Sequence, residues 1–128
     1  MSLRVALVVP DRELWSGQAS TVIVKTTEGD IGVLTGHSPV FGILAEGSIA
    51  EILGEESTVR AAVSGGFLSV ADDQVSILAA QAQLGGEVDV EQARQELAAA
   101  LAEAMPGAED SPEVRYAKAR LRAAGSQD

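Results

Sequence analysis

Up to about Ala82 the chain places apolar residues at every second position in short runs, the spacing that puts them on one face of a β-strand. Leu3, Val5, Leu7 and Val9 form the first such face, and Pro10-Asp11 ends it. Val22 and Val24 alternate with Ile23 and Lys25 in a run rich in β-branched residues, which predicts a half-buried strand. The theme returns at residues 49–53, 59–63, 67–70 and 75–79. Glu28-Gly29-Asp30 reads as a turn, and Gly54-Glu55-Glu56 and Asp72-Asp73 read as hairpin connections. Regular short strands of this kind predict a flattened β sandwich over residues 1–84.

After Gly85-Gly86 the pattern changes to Ala, Glu, Gln, Arg and Leu, all strong helix formers. Asp89 is placed to cap a first helix, with Gln92 three residues later positioned to reach back in a capping box. Ala93, Leu97, Leu101 and Met105 recur at intervals of four, giving a narrow apolar stripe, and Pro106-Gly107 stops the helix. Ser111-Pro112 opens a second helix and Gly125 closes it. Val114, Ala117, Leu121 and Ala124 make its apolar side, while Arg115, Lys118 and Arg122 make a basic stripe at spacings of three and four. The fold is therefore expected to be mainly β with an α appendage, an antiparallel two-helix hairpin over residues 88–125. Helices of this length are marginal alone in water, so they must pair, dock on the sandwich or bind a partner.

Composition narrows the function. The chain has 128 residues, 46% of them hydrophobic, which suits one main domain with its own core. Cysteine is absent, which excludes disulfides, thiol catalysis and thiolate metal sites. A net charge of −10 argues against nucleic-acid binding, which needs clustered cations. That charge is uneven: residues 1–112 hold 5 basic and 17 acidic side chains, residues 113–128 hold 4 and 2, so a basic tail follows an acidic body. No apolar run approaches the roughly 20 residues of a membrane span, and the start Met-Ser-Leu-Arg-Val leads into a strand pattern rather than a signal peptide, so membrane association is expected to be indirect. His37 is the single histidine, which leaves an enzyme reading no cluster of His, Cys or Ser. Its position between Gly36 and Pro39 suits a turn residue that supplies hydrogen bonds or partner contact.

The run Thr27-Glu28-Gly29-Asp30-Ile31-Gly32-Val33-Leu34-Thr35-Gly36-His37-Ser38-Pro39 resembles the signature of the epsilon subunits of F-type ATP synthases, in which G-[DE]-x-G-[IV]-L is followed by G-H-[AS]-P. The likeness continues through Leu44-Ala45-Glu46-Gly47, Ser64-Gly65-Gly66-Phe67 and Asp89-Val90-Glu91-Gln92-Ala93, nearly the whole chain. The resemblance implies a non-catalytic central-stalk rotor subunit that couples proton-driven rotation to ATP synthesis. It would bind the gamma subunit and rest on the c-ring, peripheral to the cytoplasmic face of the membrane. Its C-terminal helices would extend toward the beta and alpha subunits to inhibit hydrolysis.

The resemblance places Glu28 and Asp30 on the side facing the c-ring, and Gly36, His37 and Pro39 in the assembly motif for gamma. Trp15 reads as core filling or as an aromatic anchor for gamma. Arg115, Lys118, Arg120 and Arg122 would serve the inhibitory arm, although a basic stripe is also the ordinary look of a solvated helix face. Some family members bind ATP between the two helices through an [IL]-D-x-x-R-A motif. Here Asp89 and Ala93 match it but Gln92 stands where arginine is expected, and Arg94 and Arg115 lie at unmatched positions. No cofactor is therefore expected, and ATP binding is disfavoured. Two rival readings, a free-standing sandwich module with a self-associating helical arm and a carboxylate-dependent hydrolase, would differ by not co-purifying with gamma and the catalytic head.

Overall fold

The computed structural model describes residues 2–54, 57–103 and 111–125. Eight strands come first: β1 (Leu3–Val9), β2 (Arg12–Ala19), β3 (Thr21–Thr26), β4 (Gly29–Leu34), β5 (Val40–Ile43), β6 (Ser48–Leu53), β7 (Thr58–Ala71) and β8 (Gln74–Leu84). A 3₁₀ turn over Gly85–Glu87 leads to helices α1 (Val90–Glu103) and α2 (Pro112–Ala123).

The strands run in the order β2-β1-β8-β7-β6-β3-β4, with β5 added to β7. All pairs are antiparallel except β1 with β8. The sheet closes into a sandwich because β7 belongs to both layers. Its first half pairs with β6 and its second half with β5, while β8 follows it from Ala61 to Ala71. The bend lies at Gly65 and Gly66, whose φ angles of 68° and 118° favour glycine. A Cβ on Gly66 would lie 2.8 Å from Ala79 Cα, so this is a close backbone approach. The β7–β8 register stays continuous across it. Residues 59–63 and 67–70, two strands in the sequence pattern, are one bent strand.

The expected alternation holds in the core: Leu3, Val5 and Leu7 of β1 pack with Val75 and Ile77 of β8 and with Val22, Val24, Ile52 and Val63. A bulge after Leu7 shifts the register with β2, and Val9 is left half-buried. Asp72 and Asp73, with φ of 51° and 59°, form the two-residue β7–β8 hairpin, in which both residues are left-handed. Gly54 N–H donates to the Ser57 carbonyl at 2.8 Å to close the β6–β7 connection, whose Glu55 and Glu56 lie outside the described residues.

The helices follow the predicted caps with two corrections. Asp89 accepts from the Gln92 amide at 3.0 Å, but the Gln92 side chain donates forward to Glu96 at 3.3 Å instead of completing a capping box. Ser111 accepts from the Val114 amide at 3.3 Å, Pro112 occupies the first turn, and Gly125 at φ 89° follows the helix end. The second correction is burial. The stripe of α1 buries Ala93 alone among described residues, with Leu101 40% exposed and Met105 outside them. Helix α2 buries Val114, Ala117, Ala119, Leu121 and Ala123, and it packs on β7, β6 and the 3₁₀ turn. Ala119 and Ala123 close on Ala62 of β7, flanked by Ile49 and Tyr116. Pro106-Gly107, the predicted stop of α1, lies outside the described residues.

Candidate functional site

Three surfaces carry the residues singled out by sequence. The first is the β3–β4 hairpin. Its turn is Thr27-Glu28, one residue earlier than the Glu28-Gly29-Asp30 turn expected, because Thr26 already pairs with Gly29. Thr26 hydroxyl donates to the Gly29 carbonyl at 2.7 Å and accepts from the Glu28 amide at 3.2 Å, so the turn is fastened from below. Glu28 is exposed at the tip, and Asp30 is an exposed strand residue facing Lys25 across the ladder.

The second surface begins at the loop between β4 and β5. Gly36, at φ 84°, donates its amide to the Asp73 carboxylate at 2.6 Å, which ties the loop to the β7–β8 hairpin. Asp73 carbonyl also accepts from the Arg4 amide at 2.8 Å, so three segments meet at this residue. His37 donates its amide to the Leu34 carbonyl at 3.0 Å, and its ring Nδ1 contacts the Ser38 carbonyl at 2.6 Å. It acts as a turn fastener beside exposed Pro39. From Pro39 the chain enters β5, where Phe41 is 66% exposed and Ile43 53% exposed. Phe41 stacks on Phe67 of β7 with ring centroids 5.3 Å apart, and Leu78 of β8 lies opposite Phe67. Both phenylalanines of the chain are thus outside the core, on one apolar patch. The sequence pattern carried a signal for this: Leu68 and Val70 must face inward, so Phe67 alternates outward.

The third surface is the arm. Arg115 and Arg122 line a groove with Lys25, Asp30, Glu46 and Glu51, so the basic stripe faces the acidic side of the sandwich, close to the first surface. Arg120 is not part of an exposed stripe. Its guanidinium donates to Gln83 Oε1 on β8 at 2.8 Å, pairs with Glu96 on α1 and lies 5.9 Å over the Tyr116 ring. Only 11% of its side chain is exposed. Burial pushes the Tyr116 hydroxyl above the usual tyrosine pKa, with Arg120 opposing that and Glu96 adding to it. Lys118 is half-buried. Trp15 on β2 is half-buried against the core, its ring over Gly17, and borders a groove with Leu84, Gly85 and Ala123 at the end of α2.

Between α1 and α2 runs a groove lined by Ser64, Glu96, Ala100, Glu113, Tyr116 and Arg120, among others. Among the described residues its one cation is Arg120, already paired, against two carboxylates. Asp89 caps α1, Ala93 is buried, and Arg94 lies 4.0 Å from Glu91. Among the described residues no group of three His, Asp or Glu side chains is placed to hold a metal ion, and no helix is long and apolar enough to cross a membrane.

A β sandwich that presents an exposed aromatic patch beside a docked helical hairpin has the marks of a protein that assembles with partners. A family model described as the β-sandwich domain of the ATP synthase delta/epsilon chain matches residues 2–85. The ATP synthase epsilon chain of Thermobifida fusca is 51% identical over 129 residues, covering 98% of this chain and 94% of its own length. That of Streptomyces coelicolor is 46% identical over 125 residues, with 98% and 97% covered. Among solved structures, a chain of the Euglena gracilis mitochondrial ATP synthase, from an OSCP/F1/c-ring assembly, aligns with a TM-score of 0.69 at 27% identity over 94% of this chain and 75% of that one. A chain from the central stalk and c-ring of the Tetrahymena thermophila enzyme shares the fold, with a TM-score of 0.57 at 18% identity over 73% and 71%. The chain belongs to the epsilon-chain family of ATP synthase, a non-catalytic subunit of the central stalk.

Proposed function

We propose that the chain couples rotation to ATP synthesis by fixing its sandwich to the gamma subunit and the c-ring, and that its helical arm restrains ATP hydrolysis. The observation that carries the reading is the patch of Phe41, Ile43, Phe67 and Leu78, which is out of place on a freely soluble surface and calls for a partner. Aromatic side chains in such a patch are favoured anchors of interfaces. The Gly36–Pro39 loop leads straight into this patch, which gives the family motif a role in presenting it. The tip acid Glu28 and Asp30, both exposed on the adjoining hairpin, would meet basic loops of the ring. On this reading the chain sits on the cytoplasmic face of the membrane through the complex alone.

The arm reading is supported by the charge contrast between Arg115, Lys118 and Arg122 and the acidic body. In the docked arm Arg115 and Arg122 face Asp30, Glu46 and Glu51; released, the same cations would face acidic segments of the beta and alpha subunits. Reconstituting the catalytic head and its shaft with the full chain tests both parts. Phe41→Ser with Phe67→Ser should abolish co-purification with the shaft, and Arg115, Lys118 and Arg122 changed together to Ala should keep binding but raise hydrolysis. Retained binding by the double variant, or self-association of the wild-type chain through those phenylalanines in place of shaft binding, would overturn the attachment. Unchanged hydrolysis in the triple variant would overturn the charge-based restraint.

A further inference from the structure

We propose that Gly47 and Gly85 form a two-point cradle for the backbone of α2, and that the steric fit at these glycines sets how firmly the arm is held against the sandwich. A Cβ on Gly47, in the β5–β6 turn, would overlap Arg115 Cβ and lie 2.5 Å from the Arg115 carbonyl carbon and 2.7 Å from the Tyr116 nitrogen. A Cβ on Gly85 would overlap the Ala123 carbonyl oxygen and lie 2.8 Å from its carbon. Backbone atoms cannot move aside as a flexible side chain does. The two points touch the first and last turns of α2, eight residues or about 12 Å apart at 1.5 Å rise per residue. Between them Ala62, Ala119 and Ala123 let the helix lie close to the sheet, and Arg120 reaches Gln83 on β8 and Glu96 on α1.

The two glycines are required for different reasons. Gly47 has φ +64°, a conformation that favours glycine whatever surrounds it. Gly85 has no such φ, so the helix backbone above it is what leaves room for no side chain. Its neighbour Gly86 has nothing within 4 Å, although the sequence gives the two the same linker character. Gly85 also lies in the 3₁₀ turn from which the arm leaves the sandwich, so α2 closes back on the arm's own hinge. That contact must break before the arm extends.

The test is hydrogen exchange on the isolated full chain. Gly85→Ala should speed exchange across α2 at least tenfold while amides of β1 and β8 keep their protection, and Gly86→Ala should change neither. Trp15 is the single tryptophan and shares a groove with Gly85 and Ala123, so its emission should shift to the red in Gly85→Ala. Gly47→Ala should likewise free α2. Its control is Gly65→Ala, which has φ +68° and meets only Ala80 Cβ at 3.9 Å, so it carries the backbone strain without touching the arm. If Gly85→Ala loosens the sandwich as well, Gly47→Ala decides on the same criterion. Exchange of α2 within twofold of wild type in the deciding variant, or an equal effect in its control, overturns the cradle. The consequence for hydrolysis rests on the arm reading above: in the assembled enzyme a freed α2 should lower hydrolysis several-fold. A freed α2 with unchanged hydrolysis refutes that reading and leaves the cradle standing, whereas a docked α2 refutes the cradle whatever hydrolysis does.

Discussion

Helix α1 has the more regular apolar stripe and buries one described residue, whereas α2 has a shorter and more charged sequence and buries five. Hydropathy alone would assign the docking role to the wrong helix. What decides the outcome is size: Ala119 and Ala123 close on Ala62 and let the α2 backbone approach the sheet until Gly47 and Gly85 are the residues that fit beneath it. Leu97 and Leu101 of α1 have no such platform. That helix leans on α2 rather than on a strand, so its hold on the body is second-hand.

The largest effect that separates the two helices should come from truncating one leucine in each. Leu121 is fully buried, and Leu121→Ala should cost about 2–5 kcal/mol of α2 docking, read as the opening free energy of α2 amides. Leu101, 40% exposed, should cost no more than about 0.5 kcal/mol on the same change. Comparable losses at both positions would mean that α1 carries the arm and that the comparison is drawn the wrong way round.

A smaller effect should come from the contact that joins the helices. Arg120 is well shielded but Glu96 is 46% exposed, so their pairing is discounted for solvent and is expected to be worth on the order of 1 kcal/mol. A double-mutant cycle of Arg120→Gln and Glu96→Gln, scored on α1 and α2 exchange separately, isolates it. The coupling should appear mainly in α1, which depends on this bridge. A coupling near zero would reduce Arg120 to its bond with Gln83.

Much of the sandwich was legible because its central strands must alternate. Val22 and Val24 inward with Ile23 and Lys25 outward could not be read another way. Strands β2, β4 and β5 were harder to see, since they lie at the ends of the sheet or off its main path and need little apolar patterning, and Arg12–Ala19 contains Ser, Gly and Gln. Gly65-Gly66 suits a bulge or a close backbone approach, and it is such an approach, a bend through which pairing continues, so that the two runs on either side of it are one strand. For the candidate surfaces, the motif located the Gly36–Pro39 loop but not its fastening to Asp73, a contact across 37 residues that no local pattern encodes. Arg120 looked like one more cation of the inhibitory arm; only the meeting of α1, α2 and β8 makes it a brace.

The lone tyrosine reports on the same junction with a smaller signal. Burial raises the Tyr116 pKa, so its neutral form is favoured in the docked arm, and that contribution is complete below about pH 10 and lost as pH rises through the folded value. Docking should therefore be flat in this respect at neutral pH and weaken in strong alkali. Absorbance titration of the phenol should give a midpoint above 10 in the full chain. It should fall back toward 10 in Gly85→Ala, and should rise further in Arg120→Gln if the arm stays docked, because the opposing cation is gone. A wild-type midpoint at or below 10 would show that Tyr116 is not desolvated between the helices and the sheet.

The smallest expected effect is that of ATP, and it tests whether the space between the helices is a site or only a seam. Tight nucleotide binding needs cations, since charge-assisted bonds to phosphate are roughly twice as strong as neutral ones. Among the described residues the groove offers Arg120 alone, committed to Glu96 and Gln83, while Glu113 adds a second carboxylate that opposes an anion. Gln92, where nucleotide-binding relatives have arginine, is itself turned to Glu96. We therefore expect calorimetric titration of the full chain with ATP to show no tight site, and α2 exchange to be unchanged by the nucleotide. Micromolar binding that also protected α2 would show that Arg120 can leave Glu96 for a phosphate. Loss of that binding in Arg120→Gln, with Asp89→Ala removing it too, would then establish the seam as a site after all.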